Sequence, residues 1–372
     1  MKFLSQSVAA GDAARAVSRL REAYAGFPVK TLFFFASSHY NDPGLAGLVR
    51  DAFPGAATLG CSSYGEITGG GIKKQSIAAL AFGPGALDAI ACAAVENISA
   101  GTDGVAPALA ELERQLGGKL IDLDYERHFG LNLFNGSFPP IEGVLERLGD
   151  STNLTFIGGY ASDDFSMGGI RQYLNGKTYA DAAVLAILKP AGPFSLLKTQ
   201  SSAPMGKSVT VTRADPERRV ILELDRRPAL EVYAEHLGLP AAEVDDRQFL
   251  VHPFGIMADN EPFLRSIQRI LPDRSLQLFC SVQAGQRLFL MRTLDIAART
   301  AETMAEKRRQ LGGEIKALLD FDCVHRSLIL EKENRLSEYS GLFAGIEAAG
   351  FVSFGECYIA HINQTAVMAL FG

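Results

Sequence analysis

Apolar and polar positions along this chain switch between a period of two and a period near 3.6, and near both ends they do so in the same order. Thr31 to Ala36 is a short aromatic run of strand character, after which Asn41-Asp42-Pro43 marks a helix start and Leu45, Leu48, Val49 and Phe53 fall on one helical face. Pro54-Gly55 ends that helix, Thr58 to Cys61 returns as a strand, and Gly69-Gly70-Gly71 turns the chain into a further strand, Gln75 to Phe82. The predicted unit is strand, helix, strand, glycine turn, strand. At the far end Leu318 to Val324 reads as a strand, and Leu336, Tyr339, Phe343 and Ile346 lie on one helical face with Gly350 as its C-cap. Phe351 to Ser353 begins the returning strand, and Gln364 to Phe371 corresponds to Gln75 to Phe82.

The residues themselves repeat. Gly60-Cys61-Ser62-Ser63-Tyr64-Gly65-Glu66 matches Gly350-Phe351-Val352-Ser353-Phe354-Gly355-Glu356 at its Gly, Ser, aromatic, Gly and Glu positions, all at an offset of 290. A fainter echo runs from Leu131 to Asp164: a strand to Phe134, a helix opened by Ser137, Pro139 and Pro140 and carrying Ile141, Val144, Leu145 and Leu148, then a strand ending in Phe156-Ile157-Gly158-Gly159. The expected fold class is α/β, with mixed β-sheets flanked by helices and two related halves built on this repeat. The predicted division is 1–200 and 201–372, with the boundary between Pro190 and Lys207 and strands of the first half free to continue through it.

Composition narrows the function classes. With 47% hydrophobic and 21% charged residues among 372, the chain reads as a globular protein of two or more cores. A net charge of −6 argues against nucleic acid, and the densest basic stretch, Arg213 to Arg227, is interleaved with acids as a solvated hairpin would be. The most apolar window, Ser76 to Val95, is broken by Gly83-Pro84-Gly85 and Asp88, so two buried strands are expected and not a membrane span. Five cysteines without a close pair indicate neither a disulfide framework nor a zinc ribbon, and a cytoplasmic location is expected.

The first corner lacks the Gly-x-Ser-x-Gly spacing of a nucleophile elbow, and nucleotide, dinucleotide and zinc-protease signatures are absent. Cys61 with His39 as base stays open as an enzyme alternative, although no catalytic residue is assigned. Glu66 and Glu356 each follow a glycine at a strand terminus, where a carboxylate either accepts hydrogen bonds that close its own turn or holds a ligand amine. Asp163, after Gly158-Gly159, resembles a third such terminus. The candidate ligand-binding residues are Cys61, Ser63, Gly65, Glu66, Asp163, Gly355, Glu356 and Asn363. His252 and His361, beside aromatic residues, are candidate haem ligands, since non-covalent haem needs an imidazole in an apolar pocket and no spacing motif.

Read together, these phrases resemble the FIST family, the F-box and intracellular signal transduction proteins. The N-terminal region of that family is matched by Gly60 to Ile67 and by Gly158-Gly159-Tyr160-Ala161-Ser162-Asp163. The C-terminal region is matched by Val220 to Asp225, Pro228 to Tyr233, His252-Pro253-Phe254-Gly255-Ile256, Gly355-Glu356 and Asn363-Gln364-Thr365. The resemblance implies a stand-alone sensor that binds a small molecule and signals by contact with a separate partner such as a histidine kinase. For the NosP type it further implies haem b and nitric oxide sensing; a small-metabolite or amino-acid sensor is the alternative. A homodimer through the apolar C-terminal strand is an open expectation.

Overall fold

The computed structural model describes residues 1–137, 141–258 and 261–372, so the expected helix start at Pro139 and Pro140 lies outside the described residues. The chain forms two compact units: a larger one of Met1–Thr199, Ala301–His361 and Ala366–Gly372, and a smaller one of Gln200–Thr300 and Ile362–Thr365.

In the larger unit one arrangement occurs three times. The first copy runs β1 (Phe3–Val8), α1 (Ala13–Ala23), β2 (Thr31–Ser37), α2 (Leu45–Ala52), β3 (Ala57–Ser63), β4 (Glu66–Thr68), β5 (Gly71–Lys73) and β6 (Ile77–Phe82). The second runs β7 (Leu87–Glu96), α3 (Val105–Leu116), β8 (Phe129–Asn135), α4 (Ile141–Ser151), β9 (Phe156–Ala161), β10 (Gln172–Leu174), β11 (Lys177–Tyr179) and β12 (Ala182–Pro190). The third opens with β13 (Phe194–Gln200). Then come the elements of the smaller unit: β14 (Ser202–Asp215), β15 (Val220–Leu224), β16 (Arg227–Pro228), α5 (Ala229–Leu237), α6 (Asp246–Val251), β17 (Phe254–Ala258), β18 (Glu261–Arg265), β19 (Ile267–Ile270), β20 (Leu276–Leu278) and β21 (Arg287–Thr293). The third copy resumes with α7 (Ile296–Gln310), β22 (Ala317–Cys323), α8 (Val324–Lys332), α9 (Leu336–Gly341), β23 (Glu347–Ser353), β24 (Glu356–Tyr358), β25 (Ala360–Ile362) and β26 (Thr365–Phe371).

The three sheets share one strand order: β1-β6-β2-β3-β10-β11, β7-β12-β8-β9-β24-β25 and β13-β26-β22-β23-β4-β5. Each is built on a parallel pair, β2 with β3, β8 with β9 and β22 with β23, joined by a helical crossover as parallel pairing requires. Strands are exchanged in a cycle. β4 of the first copy pairs with β23 of the third, β10 of the second with β3 of the first, and β24 of the third with β9 of the second. The repeat expected at the two ends is present, and the fainter middle echo is a full third copy.

One glycine recurs at the centre of each returning strand. A Cβ on Gly60, Gly158 or Gly350 would sit 1.7, 1.8 or 2.0 Å from the carbonyl oxygen of Phe34, Asn132 or Asp320 on the parallel neighbour. Gly350 is therefore a mid-strand residue and not the helix C-cap expected from sequence; close backbone approach, not a left-handed turn, demands it. The left-handed glycine of that connection is Gly345, with φ of 79°. The third crossover also holds two short helices, α8 and α9, where one longer helix was expected.

Outer sheet faces are covered by helices. In the first copy Leu32, Phe34 and Ala36 pack against Val17, Leu20 and Val49; in the second, Phe134 and Leu185 pack with Val105, Leu112 and Leu148. The inner faces meet through aromatic rings, with Phe35 5.0 Å from Phe351 and Phe82 5.1 Å from Phe371. In the smaller unit eight strands among the described residues form one sheet, β18-β17-β21-β14-β15-β20-β19 with β16 against β15, over a core that includes Val211, Ile221, Tyr233 and Leu288. The expected solvated hairpin is the β14–β15 turn, and the apolar window around Gly83 is the β6–β7 turn. Among the described residues no helix is long and apolar enough to cross a membrane.

Candidate functional site

Beyond each central glycine the returning strand ends in a corner, and the three corners lie together. The backbone N–H of Ser62 donates to Arg171 O at 2.9 Å, that of Val352 to Gly65 O at 2.8 Å and that of Tyr160 to Gly355 O at 2.8 Å, one equivalent bond per exchanged strand. Ser162 fastens all three copies: its Oγ accepts from the Tyr64 N–H at 2.8 Å and donates to the Val352 carbonyl.

Strand register makes Glu66, opposite Phe351, equivalent to Glu356, opposite Gly159, and to Gln172, opposite Cys61. All three side chains are fully buried. Glu66 is satisfied within its own copy, where Ser63 Oγ donates to Oε1 at 2.5 Å and Ser76 donates to Oε2 from Oγ at 2.7 Å and from its N–H at 3.1 Å. Ser353 Oγ likewise donates to Glu356 Oε1 at 2.5 Å. These bonds close the corners, which is why Ser and Glu recur three residues apart in both.

Burial raises the Glu66 carboxyl from 4.5 to about 7, opposed by its serine hydrogen bonds and by Lys74. A raised folded-state value means that protonated Glu66 contributes stability that is fully present below pH 4.5 and lost as pH rises through 7. Glu66→Gln removes that titration. The variant is expected to gain about 3 kcal/mol relative to the parent between pH 4.5 and pH 8, read from urea denaturation at the two values. Parallel pH profiles for the two proteins would refute it.

The third corner breaks the pattern. Where the first copy has Ser63 and Ser76, the same register positions of the second are Ala161 and Ala182, both fully buried. The carboxylate is correspondingly an amide, and neither Nε2 nor Oε1 of Gln172 has a hydrogen-bond partner among the described residues. Leaving a buried donor and acceptor unpaired costs about 1–3 kcal/mol each, so the position calls for a water or a ligand. A cavity of about 440 Å³ lies between α3, β7 and the far end of the β10–β11 hairpin, lined by Leu174, Tyr179, Cys92 and Ala94 among others, with Gln172 outside its lining. Tyr179 is the direct cross-strand partner of Gln172 and Leu174 is two residues along, so all three share one face of the hairpin.

The other expected site residues are placed as follows. Cys61 is fully buried opposite Gln172, and burial pushes its thiol well above the ordinary value, while His39 is exposed. Asp163 is fully buried just past β9; its Oδ2 accepts from Ser166 Oγ at 2.9 Å and from the Gly169 N–H at 3.0 Å, closing an inserted loop. The third register equivalent of the two glutamates is thus Gln172 and not Asp163. Gly65 and Gly355 are the carbonyl acceptors already described. Asn363 belongs to the smaller unit, where its Oδ1 accepts from Cys280 Sγ at 2.8 Å. His252, also there, is half-buried, with Nδ1 3.2 Å from Met291 O. His361 belongs to the larger unit, with Nδ1 3.4 Å from Glu142 Oε1 and its ring 4.5 Å from that of Tyr160.

Sequence reasoning missed Gln172 and the ion pair of Asp322 with Arg326. An Asn-Gly turn following Gln172 to Leu174, with positive φ at Asn175 and Gly176, was the available sign of a hairpin equivalent to β4–β5. Among the described residues no cluster of three or more His, Cys, Asp or Glu is arranged to hold a metal ion, and no disulfide joins the five buried cysteines.

Three solved structures span nearly all of the chain at low similarity. A cyanuric acid hydrolase from A. caulinodans is 10% identical over 99% of this chain and 98% of its own, with a TM-score of 0.35. A further cyanuric acid hydrolase is 9% identical over 100% of both, with a TM-score of 0.33, and a chorismatase is 10% identical over 99% and 97%, also at 0.33. At these scores the likeness says nothing of activity. No curated protein matches the chain significantly. Residues 30–227 match the FIST N domain and residues 229–358 the FIST C domain, in the order that the motifs implied. FIST domains are sensory domains of signal transduction that bind small ligands. Spanning both domains, the chain belongs to the FIST family.

Proposed function

We propose that this chain is a signal-transduction sensor that reads a small polar ligand at the Gln172 corner of its larger unit. The observation that carries this is the buried amide without partners, at the one corner of three that lacks its hydroxyl groups. A bound ligand supplies those partners, and because Ser162 bonds to both other copies, tightening at this corner is felt by all three. The signal then passes by contact to a separate protein, for which a histidine kinase is the class we propose. No catalysis is assigned, in keeping with a Cys61 thiol that burial holds protonated.

The test is a thermal-shift screen of amino acids, amides, nucleobases and organic acids against the full chain and Gln172→Leu. At least one class is expected to raise Tm in the parent, by about 2.7 kcal/mol of stabilisation at a hundredfold excess over Kd, and to lose the effect in the variant. A screen in which nothing stabilises the parent would end the proposal.

A second reading, haem b with nitric oxide as the signal, is supported by His252. Its Nδ1 is engaged by the Met291 carbonyl, which orients the ring with Nε2 directed elsewhere, the second-sphere arrangement that suits an axial ligand. The His252 backbone is fixed as well, since the Tyr233 hydroxyl donates to its carbonyl at 2.9 Å. Bound there, haem would supply the iron that takes nitric oxide. His361 suits the role less, because its ring packs on that of Tyr160 at 4.5 Å. Hemin titration is expected to give a Soret band that His252→Ala abolishes and His361→Ala leaves. Colourless protein after titration, or a band unchanged in His252→Ala, would exclude this reading.

A further inference from the structure

We propose that the outer edge of β7 is a docking site for an extended, uncharged segment of a partner protein, which adds to the second sheet as a strand and takes the place of the Gln115 side chain. Gln172 has no part in this site, so it fills whether or not that corner holds a ligand. β7 ends its sheet, paired with β12 on one side only. On the other side the Cys92 N–H donates to Gln115 Oε1 at 2.9 Å, and Gln115 Nε2 donates to Cys92 O at 2.8 Å. One residue of a neighbouring strand makes the same two-way exchange, so the side-chain amide stands where a peptide group belongs. Outward groups recur at every second residue of an antiparallel strand, and Ile90 and Ala94 therefore present their N–H and C=O on the same side as Cys92. Among the described residues no strand pairs with them there.

The first copy shows how such an edge is sealed. Register makes Ser5 the equivalent of Cys92, and its N–H donates at 2.6 Å to Oε2 of Glu347, on β23 of the third copy. In the second copy the cap is instead an exposed side chain of its own α3 region. The edge lacks the usual guards as well, since Ala89 to Val95 holds no charge and no proline. The cavity of about 440 Å³ opens onto it at Cys92 and Ala94, with walls from α3 at Pro107 and from the β10–β11 hairpin at Leu174 and Tyr179. A single strand fits between such walls, whereas the folded edge of a second copy would bring its own covering layers against them. The two charged lining groups are each neutralised, Glu111 by Arg114 at 2.6 Å and Lys177 by Glu96 at 2.8 Å. Charge complementarity thus favours an uncharged segment: main-chain bonds to β7 supply affinity, and apolar side chains against Leu174 and Tyr179 supply selectivity.

The test selects a displayed library of random linear peptides against the full chain, then titrates the enriched sequences as synthetic peptides. They are expected to bind about tenfold more tightly to Gln115→Ala, where two hydrogen bonds no longer compete, and at least tenfold more weakly to Ala94→Pro. Proline is tolerated on an edge strand when its missing N–H faces outward. N-methylation of alternate peptide amides should abolish binding in one phase and spare it in the other, a pattern that side-chain packing alone does not give. Should Ala94→Pro fail to fold, hydrogen exchange on the parent decides, because the Ile90 and Ala94 amides are expected to slow only when peptide is bound. Failure to enrich any peptide, binding indifferent to Gln115→Ala and to N-methylation, or unchanged exchange at Ala94 overturns the proposal. If Gln115→Ala makes the chain dimerise while no peptide is enriched, the edge serves a second copy and the proposal falls. Each of these failures leaves the ligand screen at the Gln172 corner unaffected.

Discussion

Gly60→Ala is expected to prevent the larger unit from folding, and Gly350→Ala to do nearly the same. The added carbon would lie 1.7 Å from Phe34 O in the first case and 2.0 Å from Asp320 O in the second, about half the separation that van der Waals contact allows. Overpacking of side chains costs about 1–3 kcal/mol because rotamers shift to make room. Here the obstacle is a backbone carbonyl in the middle of a parallel ladder, so the strands must part and surrender hydrogen bonds; a loss well above ~3 kcal/mol is expected. Gly11→Ala is the control, since nothing lies within 4 Å of its Cβ position, and it should change stability by less than about 0.5 kcal/mol. Soluble yield, circular dichroism and urea midpoints decide. A Gly60→Ala protein with the parental midpoint would mean that β2 and β3 are not paired as described.

Arg326→Met is the second large effect, expected to cost about 3–5 kcal/mol. Arg326 Nε lies 2.7 Å from Asp322 Oδ1, Tyr339 OH donates to Asp322 Oδ2 at 2.5 Å, and both charged side chains are 1% exposed. Removing the guanidinium leaves a carboxylate with no charge partner in the third copy's helix-side core, where the first copy has Ala36 and the second Phe134. Arg326→Met with Asp322→Leu should recover most of the loss, because the unpaired charge goes with its partner. Burial already raises the Asp322 carboxyl against the opposing pull of Arg326, and without that arginine it rises further. The single variant's deficit should therefore shrink as pH falls and the acid takes up a proton. A deficit under about 1 kcal/mol, or one that does not depend on pH, would show that the pair is not buried as described.

How much of this was legible depended on whether the cause was local. β2, α2, β3 and β6 were readable because period, proline and glycine all act within a few residues of where they stand. The outer corners were readable as a repeat because Ser63–Glu66 and Ser353–Glu356 need the same three-residue spacing to make the same bond. The middle corner was hidden for two reasons. Gln172 follows Ala161 by eleven residues where Glu66 follows Ser63 by three, and neither the acid nor its hydroxyls persist. Gly350 was misread for a related reason: a glycine before a strand suits a helix cap locally, and its actual cause, the Asp320 carbonyl, lies thirty residues away. The Asp322–Arg326–Tyr339 cluster likewise needs a strand and two helices before its members meet.

The cyclic exchange of strands also governs when the protein can become itself. β4 ends at Thr68, yet the strand that completes its ladder, β23, ends at Ser353, 285 residues later. At a synthesis rate of about 5–20 residues per second that is a wait of roughly 15–60 s, during which one edge of the β4–β5 hairpin stays unpaired and available to other chains. The second sheet waits similarly for β24. Only the first sheet can close early, once β10 and β11 emerge. On the ribosome the larger unit is thus a closed first sheet trailing two open ones, and whatever shields those edges until the last fifty residues arrive sets the yield of native protein.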